Sequence, residues 1–204
     1  PKKDGNGVRN LSVPTVSDRI AQTVVKLYLE PRLESIFHPD SYGYRPGRSA
    51  HHALAVTRRR CWKYDWVVEF DIRKAFDSLD RTLLMKAVHK HVPERWIVMY
   101  LERWLSAPVI TPDNEWIIPT RGVPQGSVVG PILLNLFMHY AFDRWITVQH
   151  PNCPFARFAD DAVVHCRSKQ EAEYMLNEIT RRFTDCQLEI HPDKSKLVYC
   201  KDSN

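Results

Sequence analysis

Two neighbouring aspartates, Asp160 and Asp161, lie between the apolar runs Phe155–Phe158 and Ala162–Cys166. Adjacent aspartates are poor strand formers, so the pattern predicts two short strands joined by a turn that carries both carboxylates. A third carboxylate, Asp71, ends the apolar stretch Trp66–Phe70 and opens Asp71-Ile72-Arg73-Lys74-Ala75-Phe76-Asp77. A strand end set beside such a turn makes an oxygen-rich site. Mg2+ is held by a few carboxylates together with substrate phosphates. Two such ions about 3.5–4 Å apart activate a nucleophile and stabilise a leaving oxygen. The plainer alternative is a solvated turn with surface or capping aspartates, and Asp80, just before Arg81-Thr82-Leu83, fits an N-cap. A third block, Gly122-Val123-Pro124-Gln125-Gly126-Ser127-Val128-Val129-Gly130-Pro131, leads into Leu133-Leu134-Asn135. Its glycines allow close backbone approach to a ligand, or simply form a helix-entry loop.

The elements that must position these residues are partly legible. A helix is expected over 17–37, capped by Ser17, with Ile20, Val24 and Leu27 on one face and Pro31 bending or splitting it. Further helices are expected over Ser49–Lys63, 81–91, 94–105 and 131–147. A capping box, Ser168-Lys169-Gln170-Glu171, opens another that ends near Cys186. Strands are expected at Trp66–Asp71, at Phe155–Cys166 around the aspartate turn, at Leu188–Ile190 and at Leu197–Tyr199. Val109–Ile118 reads as a hairpin around Pro112-Asp113-Asn114. Intermixed helices and antiparallel strands point to an α+β fold.

The 204 residues are 44% hydrophobic and 26% charged, which suits one large domain or two closely packed subdomains. Apolar runs fall far short of the ~20 residues that cross a bilayer, and residues 1–10 are polar and basic, so neither membrane nor signal segment is expected. The chain opens on Pro1 without an initiator methionine, which suggests a piece of a longer protein. The five cysteines include no C-x-x-C pair, so neither a zinc site nor a redox pair is expected, and reduced thiols in a cytoplasmic protein of bacterial type are. Net charge is +5, concentrated in residues 1–63, which hold 12 Lys and Arg against 5 Asp and Glu. A basic first third suits a polyanionic partner, although a solvated basic face would look the same.

Taken in order, these blocks resemble the palm motifs of reverse transcriptases. Asp71–Asp77 resembles the first, Pro124-Gln125-Gly126 through Asn135 the second, and Phe158-Ala159-Asp160-Asp161 the third, with Phe where the family usually has Tyr. Leu188-Glu189-Ile190-His191-Pro192-Asp193-Lys194-Ser195 resembles the fourth. Lys2–Arg9 with Val13–Ile20, and Ser41-Tyr42-Gly43-Tyr44-Arg45-Pro46-Gly47-Arg48-Ser49, resemble fingers motifs of the group II intron-encoded (maturase) type. CRISPR-associated and other bacterial reverse transcriptases share those blocks. A viral RNA-dependent RNA polymerase fits less well, because that class usually has Gly before the paired aspartates and a smaller polar residue at the position of Phe76.

The resemblance implies a right-hand polymerase: fingers over residues 1–65, palm over 66–204 with a segment near 81–120 returning to the fingers, an antiparallel palm sheet packed on helices, and the thumb absent. It implies an RNA-directed DNA polymerase serving intron mobility and splicing, with an RNA-binding splicing cofactor as the alternative. The implied cofactor is a pair of Mg2+ ions, with Mn2+ able to replace them. Asp71, Asp160, Asp161 and the backbone carbonyl of Ile72 would hold the metals. Lys194 would protonate the leaving pyrophosphate. Lys2, Arg9, Phe76 and Gln125 would contact the incoming dNTP, Phe76 excluding a 2′-hydroxyl. Arg45, Arg48, Arg58, Arg59 and Arg60 would contact template phosphates. The implied partners are an RNA template, a DNA primer, dNTPs and intron RNA, with no membrane. Apolar surface meant for missing segments would favour self-association.

Overall fold

A computed structural model describes residues 12–111 and 113–201. Lys2 and Arg9 lie outside these residues. The first helix, α1 (Val16–Glu34), is capped by Thr15, whose side chain accepts from the Asp18 amide, rather than by Ser17. Helix continues through Pro31. The buried face is Gln22, Val25, Leu29 and Leu33, whereas Ile20, Val24 and Leu27 are 55–63% exposed. The helix is apolar on two sides, and apolarity alone pointed to the outward one. Ser49 caps α2 (Ala50–Cys61).

The strand β1 (Trp66–Phe70) leads through a left-handed Lys74 into the short α3 (Ala75–Ser78). Asp80 caps α4 (Arg81–His91), accepting from the Leu83 amide at 2.8 Å. α5 (Arg95–Ser106) precedes a small hairpin of β2 (Val109–Ile110) and β3 (Trp116–Ile117). Asn114 has φ 61° there, as tight hairpin turns demand. The single helix expected over 131–147 is α6 (Gly130–Met138), a π-helical turn (His139–Asp143) and α7 (Arg144–Gln149) in continuous succession.

Next come β4 (Phe155–Phe158), β5 (Asp161–Cys166), α8 (Lys169–Asp185), a 3-10 turn (Pro192–Lys194) and β6 (Lys196–Tyr199). Leu188–Ile190 is not a full strand; it contributes one bridge, Ile190 to Ile72, before the 3-10 turn offsets the chain into β6.

The main sheet has the order β4-β5-β1-β6, every pairing antiparallel. Its core joins Phe70 of β1 to Phe142 and Phe183, ring centroids 5.2–6.0 Å apart in edge-on geometry. Residues 40–42 add to the outer edge of β4. The Tyr42 amide donates to the Arg157 carbonyl at 2.8 Å, and the Arg157 amide donates to the Asp40 carbonyl at 2.9 Å. The segment expected in the fingers is thus joined to the palm sheet by strand pairing. Among the described residues, no helix is long and apolar enough to cross a membrane.

Candidate active site

Register brings the aspartates to one end of the sheet. Phe70 pairs with Ala162, so the next step sets Asp71 against Asp161. Phe158 pairs with Asp161 across the two-residue turn Ala159-Asp160, where Ala159 takes φ 60°. All three aspartates therefore lie at one end of the sheet. The Asp161 carboxyl is pushed up to about 6, first by burial and then by the charges of Asp160 and Asp71, with Lys194 opposing the shift. The Lys194 ammonium stands 3.1 Å from the Asp71 carboxylate. An acidic cluster at odds with its own charge, built from oxygen donors alone, fits hard divalent cations.

The backbone at Ile72 fits the same role. The Asp71 carbonyl accepts from His191 N at 2.8 Å and Arg73 N donates to Glu189 O at 2.9 Å, both toward the segment that leads into β6. Carbonyls alternate along a strand, so the Ile72 carbonyl points the other way, to the β5 side where Asp161 stands.

A buried network missed by sequence reasoning holds the turn. Arg157 is fully buried. Its guanidinium donates to both carboxylate oxygens of Asp143 at 2.7 Å, to Asn135 Oδ1 at 3.0 Å, to Ser41 Oγ at 2.7 Å and to the Ala159 carbonyl at 2.8 Å. Asn135 in turn donates to the Gly43 carbonyl at 2.8 Å. A Cβ at Gly43 would collide with the Ala159 amide nitrogen, so only glycine lets this loop lie against the aspartate turn. The available signal was a charged residue inside an otherwise apolar strand.

The Gly-rich loop is pinned from three sides. Arg81 donates to the carbonyls of Gly122 at 3.1 Å and Pro119 at 2.5 Å. Buried Gln22 accepts from the Val128 amide at 2.8 Å and from Ser127 Oγ at 3.2 Å. Gly122 (φ +77°) packs its Cα on the Asp77 backbone, where a Cβ would lie 2.6 Å from the carbonyl oxygen. Gln125 Nε2 donates to the Asp77 carboxylate at 3.0 and 3.1 Å, which ties the second palm motif to the first. Phe76 is half-buried beside Tyr44, ring centroids 6.4 Å apart.

The arginines divide. Arg45 is buried, its guanidinium committed to Glu34 at 2.7 Å and to the carbonyls of His38 and Ser41 at 2.6 Å. Arg60 pairs with Asp40 at 2.6 Å and donates to the Phe155 carbonyl at 2.6 Å. These two brace the fold, because loop carbonyls and carboxylates consume their donors. Arg48, Arg58 and Arg59 are exposed, Arg48 lying over the Tyr42 ring. A cleft of about 490 Å3 opens beside the site, lined by Lys26, Tyr44, Arg48 and Phe158 among others.

The family model for reverse transcriptase (RNA-dependent DNA polymerase) matches residues 1–203. The chain belongs to the reverse transcriptase family. Among curated relatives, this reverse transcriptase domain is 28% identical to Protein YkfC of Escherichia coli over 99% of the chain and 62% of that protein. It is 30% identical to the group II intron-encoded protein LtrA of Lactococcus lactis over 68% of the chain and 23% of that protein. The chain thus spans less than two-thirds of either relative. Its fold is that of telomerase from Candida albicans, with a TM-score of 0.68 over 92% of the chain and 35% of that structure, at 12% identity. Reverse transcriptases of this family use divalent metal ions, which agrees with the acidic cluster.

Proposed function

We propose that this domain carries out RNA-directed DNA synthesis as part of a group II intron-type protein, adding deoxynucleotides to a DNA primer on an RNA template. The observation that carries this reading is the register that sets Asp71 opposite Asp161 with Asp160 in the adjoining turn. Asp71, Asp160, Asp161 and the Ile72 carbonyl would hold two Mg2+ ions, or Mn2+ in their place. When bound, such ions supply positive charge to the attacking and leaving oxygens of phosphoryl transfer.

The chain's own residues do the rest. Phe76 walls the sugar pocket beside Tyr44. Gln125, fixed on Asp77, borders the same pocket. Lys194, paired with Asp71, would give a proton to departing pyrophosphate. Arg48, Arg58 and Arg59 offer charge to template phosphates, contacts that position nucleic acid without reading its sequence. Likeness to LtrA supports intron RNA as the partner, and the exposed apolar stripe of α1 supports self-association when the domain stands alone.

Primer extension on an RNA template, with the intact protein, tests the reading. Asp71→Asn and Asp160→Asn should abolish extension while circular dichroism stays unchanged. Near-normal extension by either folded variant would refute the metal assignment.

A further inference from the structure

At the opposite end of the β4–β5 hairpin from the aspartate turn, two cysteines far apart in sequence meet. His165 N donates to the Pro154 carbonyl at 2.8 Å, which carries the hairpin register one step past Phe155–Val164. The following step brings Cys153 alongside Cys166, in a position without ladder hydrogen bonds, where facing side chains are closest. Both are buried, at 6% and 0% exposure. The first turn of α8 adds a carboxylate: Glu171 Oε1 lies 3.6 Å from Cys153 Sγ. One ligand atom from each of Cys153, Cys166 and Glu171 falls within 4.8 Å of the other two.

We propose that Cys153, Cys166 and Glu171 bind a borderline-soft divalent cation, Zn2+, at a site separate from the palm carboxylates. A tetrahedral ion with Zn–S near 2.3 Å and Zn–O near 2.0 Å spans a sulfur–oxygen edge of about 3.5 Å. The observed 3.6 Å between Cys153 and Glu171 already has that length. Two thiols with one carboxylate select zinc over magnesium, since sulfur ligands suit soft cations and Mg2+ takes oxygen. Binding would release the thiol protons, and water from the half-buried Glu171 side would fill the fourth position. Glu171 can serve while keeping its structural task, because its other oxygen accepts from the Arg167 amide at 2.5 Å. The ion would staple the base of the hairpin to α8 and to the turn after α7, leaving the catalytic tip untouched.

Metal-free protein titrated with Co2+ tests the site. With excess Mg2+ present to occupy the palm carboxylates, the expected result is one equivalent of thiolate-bound Co2+, with thiolate-to-cobalt charge-transfer absorption that Zn2+ abolishes and a thermal midpoint that rises with added Zn2+. Cys153→Ser and Cys166→Ser should lose the band, and Glu171→Gln should keep it with weakened affinity. Should the cysteine variants fail to fold, Glu171→Gln and the wild-type titration decide. No charge-transfer band, a band that survives Cys166→Ser, Co2+ affinity unchanged in Glu171→Gln, or a Cys153–Cys166 disulfide in protein freshly isolated without added oxidant would overturn the proposal.

Discussion

On the proposed reading, Phe76 and Gly43 act through volume, one by filling space and the other by leaving it empty. Removing the ring with Phe76→Val should raise the ratio of ribonucleotide to deoxyribonucleotide incorporation, because the space for a 2′-hydroxyl opens. Single-nucleotide kinetics with matched rNTP and dNTP measure that ratio, and an unchanged ratio in an active enzyme excludes the gate. Gly43→Ala should leave the fold cooperative yet sharply lower primer extension, because the new methyl group forces the Ala159 amide, and with it Asp160, out of place. Thermal unfolding and primer extension on the same preparation separate the two effects. The aspartates were legible from sequence because paired carboxylates interrupt an apolar pattern. The role of Gly43 was not, since the atom it must avoid lies more than a hundred positions away along the chain.

Among the elements, the strands β1, β4, β5 and β6 and two of the helix caps followed local chemistry. Asp80 and Ser168 each accept the hydrogen bond that their position before a helix implied, whereas Thr15 caps α1 in place of Ser17. The π-helical turn and the single-bridge remnant at Ile190 had no such local signal, for tertiary contacts decide them. Arg157 shows why: a strand residue flanked by Ala156 and Phe158 reads as apolar context, yet its partners come from three other segments. Arg157→Met should destabilise the domain by about 3–5 kcal/mol, since it leaves the Asp143 carboxylate buried without its cation. The double variant Arg157→Met/Asp143→Leu should recover part of that loss. Urea denaturation of the wild type and both variants measures the difference, and equal stability of the single and double variants would contradict it.

For the molecule as a whole, pH acts through partly buried histidines. Burial lowers the pKa of His38 and of His139 below the usual 6.5, with Asp143 opposing the shift in both. Each binds its proton more readily once unfolded. Their contribution to stability is therefore complete above pH 6.5 and is lost as pH falls from there through the depressed folded-state values. The urea midpoint should decline over that range, and His139→Gln should make the decline shallower; an unchanged slope would remove His139 from the account. The charge asymmetry seen in the sequence is only partly a nucleic-acid signal. Arg45 and Arg60 spend their charge inside the fold, so Arg48, Arg58 and Arg59 carry more of it than a count of residues suggests.

The antiparallel pairing of β1 with β5 also sets a timetable on the ribosome. Trp66–Phe70 finds its partner Ala162–Cys166 roughly a hundred residues later and Lys196–Tyr199 roughly 130 residues later. At typical elongation rates of ~5–20 residues per second, the nascent strand waits about 5–20 s with both edges unpaired. Ser41 waits for Arg157 in the same way, 116 residues further on. Asp71 and Asp161 therefore come together only once β5 has emerged, and until then the apolar strand β1 lacks its partner.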